Sequence, residues 1–120
     1  MSLEIVEYVN KCIVNKEDFT VRENSDGELF VPISGYVVSI TPLINIGMDE
    51  NQMLKYILEA KFIKIEGKDY YLYLGGWFEK DKLNYDISIV IESKKEAIEV
   101  GRYCNQIAIY DLLHKQTILI

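Results

Sequence analysis

The sequence predicts an α+β fold: one domain over residues 1–120, with about three helices packed on a mixed, mostly antiparallel sheet. Three observations carry this reading. At 120 residues the chain has the size of one hydrophobic core rather than two. Segments of helical and strand periodicity alternate along it. Hairpin-type turn residues separate several of the strand-like segments, which favours antiparallel neighbours. With 49% hydrophobic residues, 27% charged residues, 7 Gly and 2 Pro, the composition excludes disordered, collagen-like and low-complexity chains.

Residues 2–15 space Leu3, Val6, Val9 and Ile13 as one face of a helix, broadened by Ile5 and Cys12. Phe19-Thr-Val-Arg and Glu28-Leu-Phe-Val read as strands joined by Ser25-Asp26-Gly27, the Asp-Gly pair supplying positive φ. Gly35 to Thr41 reads as a third strand, stopped by Pro42, which has no N–H for a ladder. Asp49 with Gln52 has capping-box spacing for a helix to Ala60, with Met53, Ile57 and Ala60 on one side. Strands follow at 61–65 and 70–78, joined at Glu66-Gly-Lys-Asp, and then at 85–91 after a turn at Lys80-Asp81. Ser93 and Glu96 have the spacing to open a third helix, on which Ala97, Gly101 and Cys104 make a stripe suited to close packing. Asn105 reads as its left-handed cap. Residues 107–112 form a nearly continuous apolar strand, expected to be covered on both faces. A terminal strand at 117–120 is expected to tie into the sheet. The likeness of Tyr36-Val-Val-Ser-Ile to Tyr85-Asp-Ile-Ser-Ile is read as shared strand preference rather than duplication.

The net charge of −6 lies wholly in residues 1–60, where ten acids face four bases, while residues 61–120 balance at nine of each. Phosphate contacts need Lys and Arg, so direct nucleic-acid binding is not expected. An acidic half suits a partner with a basic surface; as a solubility device it needs no partner. Neither a signal-peptide pattern nor an apolar run near the ~20 residues of a membrane span occurs, so a cytoplasmic protein is expected. Cys12 and Cys104 read as reduced core thiols.

The most consistent constellation is the hairpin of residues 70–91. Tyr85, Ile87, Ile89 and Ile91 alternate with Asn84, Asp86 and Ser88. A short turn at 79–82 pairs positions summing to 161, which sets Tyr70, Leu72, Leu74 and Phe78 on the face of the odd-numbered apolar residues. The opposite face then carries Tyr71, Tyr73 and Trp77 beside Asp86 and Ser88, with Gly75 and Gly76 marking a gap or a bulge. Tyr and Trp in that setting read as binding anchors, or as core if a helix covers them. Glu23, Asp26, Glu28, Asp49 and Glu50 are the acids expected to supply electrostatics.

Catalytic chemistry is scarce. His114 is the only histidine, in a turn, with no second His and no Cys cluster, so no zinc site or Ser/His arrangement forms around it. Leu74-Gly-Gly-Trp lacks the spacing of a phosphate loop, and Ser93-Lys94-Lys95 reads as a solvated helix start. No cofactor, metal or enzymatic activity is expected.

The stretch Gly75-Gly-Trp-Phe, Tyr85-Asp-Ile-Ser, Glu96-Ala-Ile-Glu-Val-Gly-Arg and Asn105-Gln-Ile-Ala-Ile-Tyr-Asp-Leu resembles uncharacterised small proteins of bacterial phages and integrative elements. The resemblance implies a setting in which small acidic proteins block host defence nucleases, and so a host-cell cytoplasm. The first expectation is therefore a non-enzymatic inhibitor of a basic host protein, acting by protein–protein contact. The alternatives are a module sequestering a nucleotide-like signal, with the aromatics and Ser93-Lys94-Lys95 as its site, and a homo-oligomeric structural protein.

Overall fold

The structure, a computed structural model, describes residues 3–40 and 49–120. Helix α1 (Leu3–Val14) buries Ile5, Val9 and Cys12. Strands β1 (Phe19–Glu23), β2 (Leu29–Phe30) and β3 (Tyr36–Ser39) follow, then helix α2 (Glu50–Ala60). Next come β4 (Phe62–Ile65), β5 (Lys68–Tyr71), β6 (Tyr73–Glu79) and β7 (Lys82–Ile91), and the chain closes with helix α3 (Lys94–Tyr103), β8 (Ala108–Asp111) and β9 (Gln116–Leu119). Seven strands form one sheet in the order β2-β1-β6-β7-β3-β8-β9, while β4 and β5 make a separate hairpin. The α+β class holds, and every pairing among the described residues is antiparallel. The expected stop at Thr41 and Pro42 lies outside the described residues.

Local chemistry sets the helix ends. Asp49 accepts from the Gln52 N–H at 2.9 Å and the Gln52 side chain accepts from the Asp49 N–H at 2.8 Å, a complete capping box. At α3 only half of the expected box forms. Ser93 accepts from the Glu96 N–H at 3.2 Å, but the Glu96 carboxylate turns instead to Lys68 and Tyr70, clipping the β4–β5 hairpin to the helix start. The α3 exit is a Schellman motif: Asn105 has φ 59°, its N–H reaches Arg102 O at 3.0 Å, and Gln106 N–H reaches Gly101 O at 2.8 Å.

The core lies on one side of the large sheet. Phe19, Val21, Leu74, Ile87, Ile89, Ile91, Val38 and Ile109 share it with the apolar faces of the described helices α1, α2 and α3. Gly101 lets α3 approach closely, since a methyl group there would sit 2.7 Å from Ile120 Cδ1 and 3.2 Å from Ile109 Cγ2. Cys12 and Cys104 are free and buried in this core.

The 161 register holds from Tyr73↔Ser88 to Glu79↔Lys82. It does not extend to Tyr70, because residues 68–71 pair with β4 instead and Leu72 N–H is held by Lys61 O at 2.9 Å. The expected cover on both faces of residues 107–112 is corrected too. Ile109 and Asp111 are buried on the helix side, whereas Ala108 and Tyr110, which alternate to the other face, are only half-buried. Asp111 takes its partners from the turn that follows, accepting from the His114 N–H at 3.2 Å and meeting His114 Nδ1 at 2.8 Å. Burial draws the Asp111 carboxyl upward, but these bonds outweigh it and hold the group below its usual range.

The β6–β7 turn places two residues without a glycine, Lys80 at φ 49° and Asp81 at φ 64°, as a type I′ turn requires. Asp81 also pairs with Lys16 at 2.7 Å. Lys80→Asn leaves that pair intact and relieves part of the left-handed strain. We expect it to raise stability by about 0.5–1 kcal/mol, read as a higher urea midpoint at unchanged slope.

Candidate functional site: the helix-free face of the sheet

Because side chains alternate along a strand, the register that buries Leu74 and Ile87 turns Tyr73, Gly75 and Trp77 of β6, with Asn84, Asp86 and Ser88 of β7, to the other face. Ser39 of β3 pairs with Ser88, Thr20 of β1 pairs with Gly75, and Phe30 of β2 pairs with Arg22. Among the described residues no helix packs on this face, which answers the question of whether these aromatics are helix-covered.

Asp86 lies at its centre. Its carboxylate leans across the strand onto Gly75, where a methyl group would collide with Oδ1. The two glycines are therefore neither a bulge nor an empty gap. The ladder runs through both, Gly75 making room for Asp86 on this face and Gly76 for the Phe19 ring on the other. Burial pushes the Asp86 carboxyl up to about 6, against the pull of a hydrogen bond from Ser39. Ser88, fully buried beside it, has an Oγ with no hydrogen-bond partner. A buried hydroxyl in that state costs about 1–3 kcal/mol, so the centre of the face is polar at the expense of stability.

An aromatic cluster flanks this centre. The Arg22 guanidinium stacks 4.1 Å from the Tyr71 ring, 4.7 Å from Phe30 and 5.5 Å from Tyr73, and Phe62 meets Tyr71 edge-on at 6.4 Å. Tyr71 is 56% exposed and Trp77 42%, while Tyr73 is only 6% exposed beneath Phe30, so Tyr73 supports the surface rather than offering a contact. Residues 31–34 stand off the sheet and leave a groove of about 320 Å³ over Tyr73 and Val90, with Ile33 exposed at its rim.

The acids named from the sequence do not gather into one patch. Asp26 and Glu28 sit at the exposed β1–β2 tip, where Asn24 Oδ1 accepts from both of their N–H groups at 3.0 and 2.9 Å. Glu23 closes β1 nearby, half-buried. Asp49 is engaged in its helix cap, and Glu50 accepts from Tyr85, whose hydroxyl is pushed up to about 12 by burial first and by Glu50 second. Asp49 and Glu50 thus belong to the helix side. Lys94 and Lys95 open a helix on that same side, opposite the face that carries Trp77.

Arg22, Ser39 and Phe30 are members of the site that sequence reading missed. Each comes from a different strand, and only the strand order brings them to Tyr71, Asp86 and Tyr73. Among the described residues no group of three His, Cys, Asp or Glu side chains is placed to hold a metal ion. Likewise no described helix is long and apolar enough to cross a membrane. No protein-family model matches this sequence, and neither a curated protein nor a solved structure is significantly similar to it.

Proposed function

We propose that this chain is a non-enzymatic binding protein that blocks a basic partner protein, such as a host defence nuclease, through the helix-free face of its sheet. The observation that carries the reading is the centre of that face. A half-buried carboxylate at Asp86, bonded among the described residues only by Ser39, and an unpartnered buried hydroxyl at Ser88 stand between exposed aromatics, at a cost to stability that packing alone does not explain. A lysine or arginine from the partner supplies what both groups lack, a charged donor in a desolvated setting. Tyr71 and Trp77 supply the apolar rim that excludes water around it. The net charge of −6, with Asp26 and Glu28 at the hairpin tip on the sheet's edge, steers a basic partner toward the molecule.

Affinity capture from a host lysate at low and high salt, with wild type, Trp77→Ala and Asp86→Asn in parallel, tests the reading. A protein retained by wild type, lost from both variants and released by salt supports it. Equal recovery by all three baits defeats it. Trp77→Ala is expected to change folding stability by no more than about 1 kcal/mol, because the residue lies exposed on the sheet surface rather than in the core. The same change weakens partner binding by about 2 kcal/mol or more if the ring is an anchor. A stability loss of ~3–5 kcal/mol in chemical denaturation would make Trp77 a core residue and remove it from the interface.

A further inference from the structure

We propose that β9 is a dimerisation edge, and that a second copy of this chain adds its own β9 antiparallel to it, centred on Ile118. This inference is independent of the partner reading above and concerns another part of the molecule. The backbone fixes which groups are available. Ile120 N–H bonds Ile107 O at 2.9 Å in the same register that pairs Ala108 with Leu119 and Tyr110 with Thr117. Antiparallel ladders alternate, so residues 116, 118 and 120 turn their backbone groups toward β8, while Thr117 and Leu119 turn theirs outward. The β3–β8 ladder agrees, since Leu112 N–H bonds Gly35 O at 3.0 Å and thereby points Tyr110 at β3 rather than β9.

The side chains on this edge fit a second copy. Residues 116–120, Gln-Thr-Ile-Leu-Ile, have no charged side chain, and Leu119 is 79% exposed. Soluble proteins usually guard such an edge with charges, proline or brevity. The opposite edge of this sheet is guarded in that way, for β2 has two residues and lies between Glu28 and Pro32. Two-fold pairing about Ile118 sets Thr117 opposite Leu119 of the other copy and Ile118 opposite itself, brings no like charges together, and uses both outward residues of each strand. The two seven-stranded sheets then run as one, with their helix-free faces on the same side.

Light scattering across a concentration series, on the intact chain, is the first measurement. Mass rising toward twice 14.0 kDa at high micromolar concentration is expected, and a constant 14.0 kDa overturns the proposal. Leu119→Pro deletes only an outward N–H and spares the bonds to β8, so it should weaken self-association about tenfold or more at unchanged far-UV circular dichroism. Association equal to wild type overturns the proposal. Ile118→Cys gives a readout that does not depend on that variant folding. Directly opposed residues of a non-hydrogen-bonded pair stand about 4.5 Å apart at Cα, within disulfide range, so mild oxidation should link two copies through this position. The native Cys12 and Cys104 are buried and give no background. Thr117→Cys faces Leu119 of the other copy and should link far more slowly. Equal linking of both variants, or of neither, overturns the register.

Discussion

Replacing Asp86 by Asn is expected to stabilise the protein by about 2–3 kcal/mol above pH 7 and to leave it unchanged near pH 4. The native carboxyl is raised to about 6 by burial, against an ordinary value of 3.8, so the native state favours the protonated form. Its stabilising contribution is complete below the unfolded-state value and is lost as pH rises through the native one. Wild-type stability should therefore fall between about pH 4 and pH 6 and then level off, whereas the Asn variant lacks that decline. Denaturant midpoints measured across this range check it, and a flat difference between the two proteins would mean that Asp86 titrates normally. The same substitution should weaken binding of a basic partner by about tenfold or more, because a desolvated cation would lose its counter-charge. A residue whose removal improves the fold and damages binding is retained for binding.

Where the sequence was legible, the relevant forces were local or agreed with one another. The Asp49–Gln52 box and the Asn105 cap each depend on a few consecutive residues. The β6–β7 register was legible because two alternating strands and a two-residue turn all demand the same sum, and a slip by one would turn both apolar sets to the wrong face. The departure of residues 68–71 to β4 was not legible, since Tyr70, Leu72 and Leu74 keep the same alternation whichever strand they pair with. Neither was the choice of which sheet face the helices cover. One face of β6 offers Leu74 and Phe78, the other Tyr73 and Trp77, and the decision rests on where α1, α2 and α3 return to the sheet. The Arg22 stack over Phe30, Tyr71 and Tyr73 depends on strand order alone, so Arg22 reads from the sequence only as one base in an acidic half.

Gly75 and Gly76 are neighbours on one strand, and alanine is expected to do opposite things at the two positions. At Gly76 the new methyl group enters the Phe19 ring, which is buried and also meets Tyr85 edge-on at 6.3 Å. A close-packed core yields only by displacing that ring, so Gly76→Ala should cost about 1–3 kcal/mol. Phe19→Leu, costly alone, should then cost much less in the Gly76→Ala background, and this non-additivity in a double-mutant cycle identifies the collision as the cause. At Gly75 the methyl group meets Asp86 Oδ1, the end of a short side chain bordering a face that no described helix covers. The carboxylate can swing toward water, so Gly75→Ala should cost little stability above pH 7. It should also return the Asp86 carboxyl toward its ordinary range and abolish the stability decline between about pH 4 and pH 6. Partner binding should suffer as much as in Asp86→Asn, although the acid is still present in the chain. If Gly75→Ala instead destabilises as much as Gly76→Ala and keeps the wild-type pH profile, Asp86 is held by packing around it rather than by the space over Gly75, and the carboxylate is not positioned for a partner.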